Sequence, residues 1–468
     1  MKEKILAHFK ETFFEVTEKA AALSEAANKH HMKLMCLVAI FYKIALDVHY
    51  IVAVSYQHSY AGLQLRTDSL RYVLSWILYI VVFVCLPKIE NELASFCLNL
   101  QFVVIYAPML TYFALNTQSY IYIIGVSAAF LVQTWILRPS ATLKIRPTPS
   151  LPGLQSRATV LSLIFIFANI LILLIWNGFY GVQAFDFHFL YSIRENATYP
   201  PLIPYFVSWI FKILIPFFFV FLLEKKKIWS AAILFLCDIV LYMILGNKFI
   251  YLSLAVLLGV YIIFKLRHSI KLLYSAFTIL CTIISSLYCI EKLSASTISS
   301  QPIGRITSLW GSRFLFIPAQ HKFLFYDCFS KYPKLFYSEG QIGNILNLFH
   351  PYNGSVGQVI FAYQFNGRFM SSNSNTGYWG DSFAQSGWLG VFAASILLAL
   401  IIKFLTKCAR NSSSLALPFI TSMSIQMIIL NDSSFITNLL TGGMFLLLLF
   451  ALIYTDNSNK HLLRGNIK

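Results

Sequence analysis

The sequence predicts an all-α protein that crosses a membrane many times, and two observations of composition indicate this fold class. Of the 468 residues, 58% are hydrophobic and only 12% are charged, whereas soluble domains carry about 25% charged residues. The apolar blocks are also long enough to cross a hydrocarbon layer of about 30 Å, which takes about 20 helical residues. We therefore expect a polytopic helical integral membrane protein.

Residues 1–31 precede the first apolar block and have a different pattern. Apolar side chains recur three or four positions apart, with Lys and Glu between them. This spacing gives a helix one apolar stripe, so we expect an amphipathic helix on the cytoplasmic membrane surface. A short coiled coil is the alternative.

Twelve apolar blocks follow, nine within residues 32–290 and three within residues 388–468. Each is read as a membrane-spanning helix, so we expect about 12 transmembrane helices. The predicted spans are residues 33–55, 72–86, 94–114, 119–137, 159–176, 203–223, 228–245, 249–264, 272–290, 388–406, 415–430 and 436–454.

The distribution of basic residues predicts the orientation. Lys and Arg concentrate in RPSATLKIRPTPSLPGLQSR, EKKK, KLRHSIK, KFLTKCAR and the tail KHLLRGNIK. The positive-inside rule places these segments, and with them the N- and C-termini, in the cytoplasm. The net charge of +17 then indicates anionic membrane lipids as partners rather than nucleic acid.

Residues 291–387 form a large extracytoplasmic (periplasmic) loop between spans 9 and 10 in this topology. The loop is rich in Phe, Tyr and Trp, so it can bury apolar surface and is unlike a disordered segment. We expect a folded cap of short helices at the outer boundary of the membrane.

Four charged residues fall inside predicted spans. Lys43 and Asp47 are four positions apart, which predicts an ion pair on one helix face. A proton route is the alternative for this pair. Lys212 and Asp238 are isolated in spans 6 and 7, and we expect them to pair across helices.

Motifs for several kinds of chemistry are absent from the sequence. It has no GxxxxGK[ST] loop, no HExxH and no DxD acidic pair, so ATP-driven work and nucleotide-sugar transfer lack their usual signals. The eight cysteines have no metal-ligand or disulfide spacing. We expect no cofactor and no metal site, and a substrate that arrives already activated.

Cations gather in the predicted outer segments, as diphosphate binding would require. Arg binds phosphate oxygens with two donors, whereas Lys acts as a point charge. Snorkelling or headgroup binding is the alternative for each cation. The residues are Arg194, Lys248, Arg305, Arg313 and Arg368.

The segment SSNSNTGYWGDSFAQSGWLG, residues 371–390, enters span 10 with a single charge, Asp381. Asp381 is the candidate catalytic carboxylate, with a helix N-cap or dipole role as the alternative. Amides can hydrogen-bond sugar hydroxyls, and aromatic rings can stack on a pyranose. The candidate sugar-binding residues are Asn373, Asn375, Tyr378, Trp379 and His350. Other outer groups able to act as a base are Asp186, His188, Glu195, His321 and Asp327, of which Asp327 is expected to pair with a neighbouring cation.

Four outer motifs together resemble the Wzy-type oligosaccharide repeat unit polymerases of O-antigen and capsule synthesis. They are GNKFIYL, GRITSLWGSRFLFIPAQHKFLFYDCFSKYP, SNSNTGYWGDSFAQSGWLG and LNDSSFITNLLTGG. The opening segment YKIALDVHYIVAVSYQHSYAGL is similar to the start of the same family. The resemblance covers nearly the whole chain as an architecture, through short motifs.

The resemblance implies a metal-independent glycosyltransferase that uses a lipid-diphosphate donor. Undecaprenyl-diphosphate-linked repeat units would be joined on the outer face of the cytoplasmic (inner) membrane, with a chain-length-regulating co-polymerase as a candidate partner. By the same resemblance Arg194, Lys248, Arg305 and Arg313 would bind diphosphate, Arg305 and Arg313 would also assist catalysis, and the NSNTGYWGD segment would line the acceptor site. No Arg here is followed by Gly eleven residues later, a spacing that describes some family members.

Two other functions stay open on the sequence. An O-antigen ligase acting on a lipid A core would use the same donor and a similar topology. A lipid-linked oligosaccharide flippase belongs to a different class, and it would be expected to show internal repeats and charged residues within several helices. The sequence has no convincing repeat, and its polar residues concentrate in the outer segments.

Overall fold

The computed structural model describes residues 32–138, 153–266, 268–294, 306–367, 373–411 and 413–454. These residues are almost entirely helical, and the only β-type pairing among them is one isolated bridge between Arg66 and Asn116. The predicted surface helix in residues 1–31 and the predicted cytoplasmic tail after residue 454 lie outside the described residues.

In the described chain, ten longer helices and two short 3₁₀ helices, Ser59–Ala61 and Gly181–Phe185, precede the predicted outer loop. In chain order the longer helices are α1 (Met32–Gln57), α2 (Ser69–Cys85), α3 (Leu93–Leu115), α4 (Tyr120–Ile136), α5 (Leu154–Asn177), α6 (Phe187–Asn196), α7 (Ile203–Glu224), α8 (Ile228–Leu245), α9 (Lys248–Lys265) and α10 (Ser269–Ser294).

Seven helices follow in the remainder of the described chain. The first, α11, is the π-helical stretch Ser308–Phe316 continued without a break by Ile317–Lys331. The others are α12 (Gly340–Ile345), α13 (Val356–Gln364), α14 (Tyr378–Asn411), α15 (Ser413–Ile429), α16 (Phe435–Leu439) and α17 (Met444–Tyr454).

Nine segments of the described chain are long and apolar enough to cross a membrane, and the last of them combines α16 with α17. The helices α2, α4 and α15 are apolar but slightly shorter. Each of the twelve predicted spans coincides with one of these segments. The prediction of an all-helical, multi-pass membrane protein is thus confirmed, and the number of crossings stays a prediction.

Side-chain caps fix several helix starts next to the apolar segments. The side chains of Asp68, Ser119 and Asn247 accept hydrogen bonds from backbone N–H groups at the starts of α2, α4 and α9. Such caps satisfy donors that a helix start leaves unpaired. Gly246 closes α8 with φ +61° just before Asn247 opens α9, so α8 and α9 form a tight hairpin.

The centre of the bundle is α3, in which every residue is buried. One polar network crosses from α1 to α3. Lys43 Nζ lies 2.5 Å from Asp47 Oδ1, and the Thr111 hydroxyl donates to the same oxygen at 2.6 Å. The predicted Lys43–Asp47 ion pair is confirmed, and the third partner satisfies a carboxylate that burial would otherwise destabilise.

The predicted pairing of Lys212 with Asp238 is wrong for the described structure. The Asp238 carboxylate instead accepts a hydrogen bond from the Ser253 hydroxyl of α9. The Lys212 ammonium lies 5.4 Å from the centre of the Phe211 ring on its own helix. Neighbouring helices therefore do not bring these two charges together.

The helix α11 differs from the predicted cap of short helices. It is one long helix that packs between α1, α3 and α14, and its residues Pro318–Phe323 are all buried. Gln320 donates to the carbonyl of Ala61 at 2.7 Å. This hydrogen bond gives a buried polar side chain of α11 a partner in the loop that follows α1.

A break divides α14 at Ser386 and Gly387, where Gly387 has φ +66°. The predicted span 388–406 begins directly after this break. Backbone N–H groups of Leu335 and Phe336 donate to the carbonyls of Ala384 and Gln385, both at 3.0 Å. These bonds satisfy the carbonyls that the break exposes, so the first two turns of α14 form a separate, anchored helix.

Candidate functional site

Lys322 of α11 is the centre of a buried polar cluster. Its side chain is fully buried, and its ammonium donates to the Asn431 carbonyl at 2.7 Å, to Asn431 Oδ1 at 2.8 Å and to the Pro318 carbonyl at 3.1 Å. The Asn431 amide donates in turn to the Phe314 carbonyl at 2.8 Å. The loop between α15 and α16 is therefore tied directly to α11.

The polar segment before α14 packs against the same loop. The Thr376 N–H donates to the Asp432 carbonyl at 3.2 Å, and the Tyr378 N–H donates to the Leu430 carbonyl at 3.1 Å. The Asn375 side chain donates to the Asp432 carboxylate, and its backbone carbonyl accepts from the His321 ring. Three segments that are distant in the sequence thus meet at one cluster.

Gly377 allows this close approach. Its φ is +69°, and a Cβ atom there would lie 2.7 Å from the Asn431 carbonyl oxygen and 2.8 Å from Lys322 Cε. A residue with a side chain is disfavoured by the backbone conformation and by the neighbouring atoms. Glycine at this position is required by the packing of all three segments.

Burial shifts the pKa values of the cluster towards neutral forms. It lowers the pKa of the Lys322 ammonium and raises that of the Asp432 carboxyl, and the attraction between the two charges opposes both shifts. Burial and the adjacent Lys322 lower the pKa of His321 to about 4. The cluster therefore has a carboxylate and an amine with pKa values closer together than in water.

Asp432 also forms part of the wall of a cavity of about 340 Å³. Apolar side chains of α7, α9 and α15 line the cavity together with several polar side chains. Its lining residues are Tyr199, Pro204, Val207, Ser208, Phe211, Lys212, Asn247, Phe249, Ile429, Asp432 and Ser433. A cavity with apolar walls and a few polar groups is typical of ligand pockets.

Lys212 supplies a cation to this cavity from a π-helical turn, Ile210–Leu214, of α7. Such turns are frequent at functional sites. Among the described residues, no hydrogen bond or ion pair to the Lys212 ammonium is found. Its charge therefore stays available to an anionic ligand.

Two of the predicted diphosphate-binding residues lie next to the cavity. Burial raises the pKa of the Tyr199 phenol, and the nearby charge of Arg194 opposes this rise. Arg194 therefore lies close to a residue that lines the cavity. Lys248 lies between Asn247 and Phe249, which both line the cavity. The geometry thus brings Arg194 and Lys248 to the neighbourhood of Lys212.

The other predicted arginines are placed differently. Arg313 is exposed on α11, and its charge lowers the pKa of His58 in addition to the effect of burial. Arg305 and Arg368 lie outside the described residues. The predicted diphosphate-binding and catalytic roles of Arg305 and Arg313 stay predictions.

The predicted sugar-binding aromatic residues are inside the protein. Tyr378 and Trp379 are fully buried, with the Tyr378 hydroxyl bonded to the Gln101 amide and the Trp379 indole donating to Ser395 at 3.1 Å. Neither ring has a face open to a sugar in this conformation. The start of α14 turns both rings into the bundle, which the residue types alone did not indicate.

The predicted polar sugar ligands remain accessible. Asn373 and Asn375 are exposed, and Asn373 Oδ1 accepts from the Ser355 hydroxyl at 2.9 Å. His350 is half-buried and lies 3.0 Å from the Ser338 hydroxyl and from the Gly354 carbonyl. Of these residues, the structure places only Asn375 in contact with the buried cluster.

Asp381 is buried in the first helical turns of α14. The Gln385 amide donates to the Asp381 carboxylate at 3.3 Å, and Asp381 is not among the residues that line the cavity. The predicted catalytic carboxylate and the cavity are thus formed by different parts of the structure.

Asp327 pairs with Lys331 at 3.0 Å on the exposed face of α11, as predicted.

Sequence reasoning missed the roles of Lys322 and Asp432. Lys322 lies in the segment that was predicted to be an outer loop, and Asp432 lies between the last two predicted spans. The available signal was the motif LNDSSF, which lies at a span end and contains both Asn431 and Asp432. Lys212 was visible as an isolated charge in a span, but its neighbours were not.

No cluster of three or more His, Cys, Asp or Glu side chains in the part of the chain that the structure describes is arranged to hold a metal ion. The chain is a helical multi-pass membrane protein with a polar cluster and a ligand-sized cavity next to one another. Comparison with family models, curated protein sequences and solved structures finds no match to it.

Proposed function

We propose that the chain is a glycosyltransferase that joins undecaprenyl-diphosphate-linked repeat units into O-antigen or capsular polysaccharide. One observation carries the proposal. All four outer motifs on which the family resemblance depends contribute residues to the cavity or to the adjoining cluster. These residues are Asn247 and Phe249, His321 and Lys322, Asn375 and Gly377, and Asn431 and Asp432.

The cavity fits the donor half of such a reaction. A lipid diphosphate has an apolar chain attached to a strongly anionic head, and the cavity has apolar walls next to the Lys212 ammonium. Arg194 lies close to the lining residue Tyr199, and Lys248 follows the lining residue Asn247 in the chain, so both cations are near the cavity. Cations near a diphosphate stabilise the charge that develops on it as the sugar leaves.

The segment before α14 fits the acceptor half. Asn373 and Asn375 are exposed amides beside the cluster, and amides donate to and accept from sugar hydroxyls. In this arrangement the acceptor sugar lies along residues 373–376, and the donor diphosphate lies in the cavity. Asp432 is shared by both regions.

Polymerisation is tested by incubating the purified protein with single lipid-linked repeat units extracted from a host that lacks this chain. The proposal expects glycans of two or more repeat units to form on the lipid. Conversion only when lipid A core is supplied would indicate the ligase alternative. Lipid-linked units that move across a vesicle membrane without growing would indicate the flippase alternative.

The donor site is tested by binding of undecaprenyl diphosphate to Lys212→Met. The proposal expects binding at least tenfold weaker than in the wild-type protein, because a lysine ammonium contributes about 1.5–3 kcal/mol to a charged hydrogen bond. Lys265→Met is a matched control, since Lys265 pairs with Glu224 away from the cavity. Equal binding by Lys212→Met and Lys265→Met would contradict the donor site.

A further inference from the structure

The Asp432 carboxylate is an unusual group at the cavity wall. The Asn375 amide donates to it, yet its Oδ1 atom is sealed from solvent and has no hydrogen-bond partner among the described residues. Buried carboxylate oxygens are normally paired. An unsatisfied acceptor at the wall of a cavity would be stabilised by a hydrogen bond that a ligand hydroxyl donates.

We propose that Asp432 is the base that activates the acceptor hydroxyl, and that Lys322 is a positioning residue that fixes its loop and favours its ionised form. This inference rests on the proposed glycosyl transfer. It replaces Asp381 as the candidate base, because Asp381 is held by Gln385 and does not line the cavity.

The position of Asp432 supports this role. Asp432 lines the cavity that is proposed to bind the donor. Its carboxylate contacts Asn375, in the segment that is proposed to bind the acceptor. A base must lie within hydrogen-bond reach of the proton that it takes. Among the described carboxylates, only Asp432 adjoins both regions.

The surrounding charges adapt Asp432 to this chemistry. Lys322 faces it from α11, and Lys212 on α7 lines the same cavity. The adjacent His321 contacts Lys322 and Asn375. Tyr199 also lines the cavity, and Lys248 follows the lining residue Asn247. Burial raises the pKa of Asp432 to about 6, while Lys322 and Asn375 limit the rise. The carboxylate is then ionised at neutral pH and is a stronger base than an ordinary aspartate.

The proposed glycosyl transfer needs no reactant besides the donor, the acceptor and the Asp432 carboxylate. The Asp432 carboxylate takes the proton of the acceptor hydroxyl, and the hydroxyl oxygen forms a bond to the anomeric carbon of the donor sugar. The bond between that carbon and the diphosphate oxygen breaks, and its electron pair leaves with the lipid diphosphate. The proton on Asp432 then passes to solvent.

The test compares Asp432→Asn with Asp381→Asn and Asp327→Asn in the purified polymerisation assay. Asp432→Asn is expected to lower the rate by about 10²–10⁴-fold, which is the range for general-base catalysis. It should still bind undecaprenyl diphosphate at least as well as the wild type, since a negative charge is removed. Asp327→Asn, which disrupts an exposed ion pair, should retain the wild-type rate.

A rate for Asp432→Asn within tenfold of the wild-type rate would overturn the inference, as would a loss of activity confined to Asp381→Asn. If wild-type protein makes no polymer at all, the proposed function fails instead. The two failures are therefore distinguishable.

A pH profile separates a base from a merely structural group and does not require Asp432→Asn to fold. The wild-type rate should rise with pH around pH 6. Asn375→Ala removes a hydrogen bond that favours the ionised carboxylate, so its rising limb should move to higher pH. An unchanged limb in Asn375→Ala would contradict the assignment.

Discussion

Replacing Gly377 with alanine tests how tightly the three segments of the cluster are packed. The added Cβ would lie 2.7 Å from the Asn431 carbonyl oxygen and 2.8 Å from Lys322 Cε, at a backbone φ of +69°. The left-handed conformation costs a residue with a side chain about 1–2 kcal/mol, and overpacking a well-packed site adds about 1–3 kcal/mol. We expect Gly377→Ala to lose about 2–5 kcal/mol of unfolding free energy from these two contributions.

Gly153→Ala is the matched control for Gly377→Ala. Gly153 also has a left-handed backbone with φ +77°, but its nearest described neighbour, Ser156 Oγ, would lie 4.0 Å from the new Cβ. Gly153→Ala should lose only the unfolding free energy that the left-handed backbone costs a residue with a side chain, about 1–2 kcal/mol. Denaturant unfolding in detergent, followed with a thiol-reactive dye that reports exposure of the buried cysteines, measures both variants. These are Cys97, Cys237, Cys281, Cys328 and Cys408. Equal losses would refute the packing described for Gly377.

Two further predictions concern pH and helix packing. The pKa of folded His321 is about 4, below the value of about 6.5 for an unfolded histidine. The unfolded chain therefore binds more protons between these values, and stability falls as the pH falls through this range. On acidification from pH 6.5 to pH 4, the unfolding free energy of His321→Gln should fall by about 3 kcal/mol less than that of the wild type, at 1.36 kcal/mol per pKa unit. Equal losses of stability in thermal unfolding would contradict this. A Cβ at Gly125 would overlap the Trp388 ring, whereas one at Gly259 meets no described atom within 4 Å. Gly125→Ala should therefore lower the melting temperature and Gly259→Ala should not, and the same direction in both would contradict the α4–α14 packing.

The helical spans could be predicted from sequence because each signal is local. A block such as Leu93–Leu115 has no charged residue and is apolar and long enough to cross a membrane, and burial within the protein does not change that pattern. The pairing of Lys43 with Asp47 was also local, since positions four apart lie on the same helix face. Both predictions needed no knowledge of neighbouring helices.

The burial of α11 could not be predicted, because it depends on partners distant in the sequence. His321 and Lys322 favour an exposed segment by residue type. Their burial is stabilised by acceptors from Asn375 and Asn431, which the bundle brings to them. The same limit applies to Tyr378, whose buried partner Gln101 is on α3.

Part of the surroundings of the cavity was indicated by the sequence. Arg194 and Lys248 lie beside the cavity, and their binding of an anionic ligand stays a prediction. The carboxylate at the cavity was missed, because the polar segment around Asp381 favoured that residue and no local pattern distinguished Asp432. Only the fold shows which of these two carboxylates adjoins the cavity.

The most direct test of the central claim is the surface polysaccharide of a host that lacks this chain, separated by size on a gel. The account predicts that the ladder of polymer lengths disappears while material with a single repeat unit remains attached. Complementation with wild-type protein should restore the ladder, and complementation with Asp432→Asn should not. An unchanged ladder in the host without the chain would contradict the account, and loss of all attached glycan would indicate ligation or translocation instead.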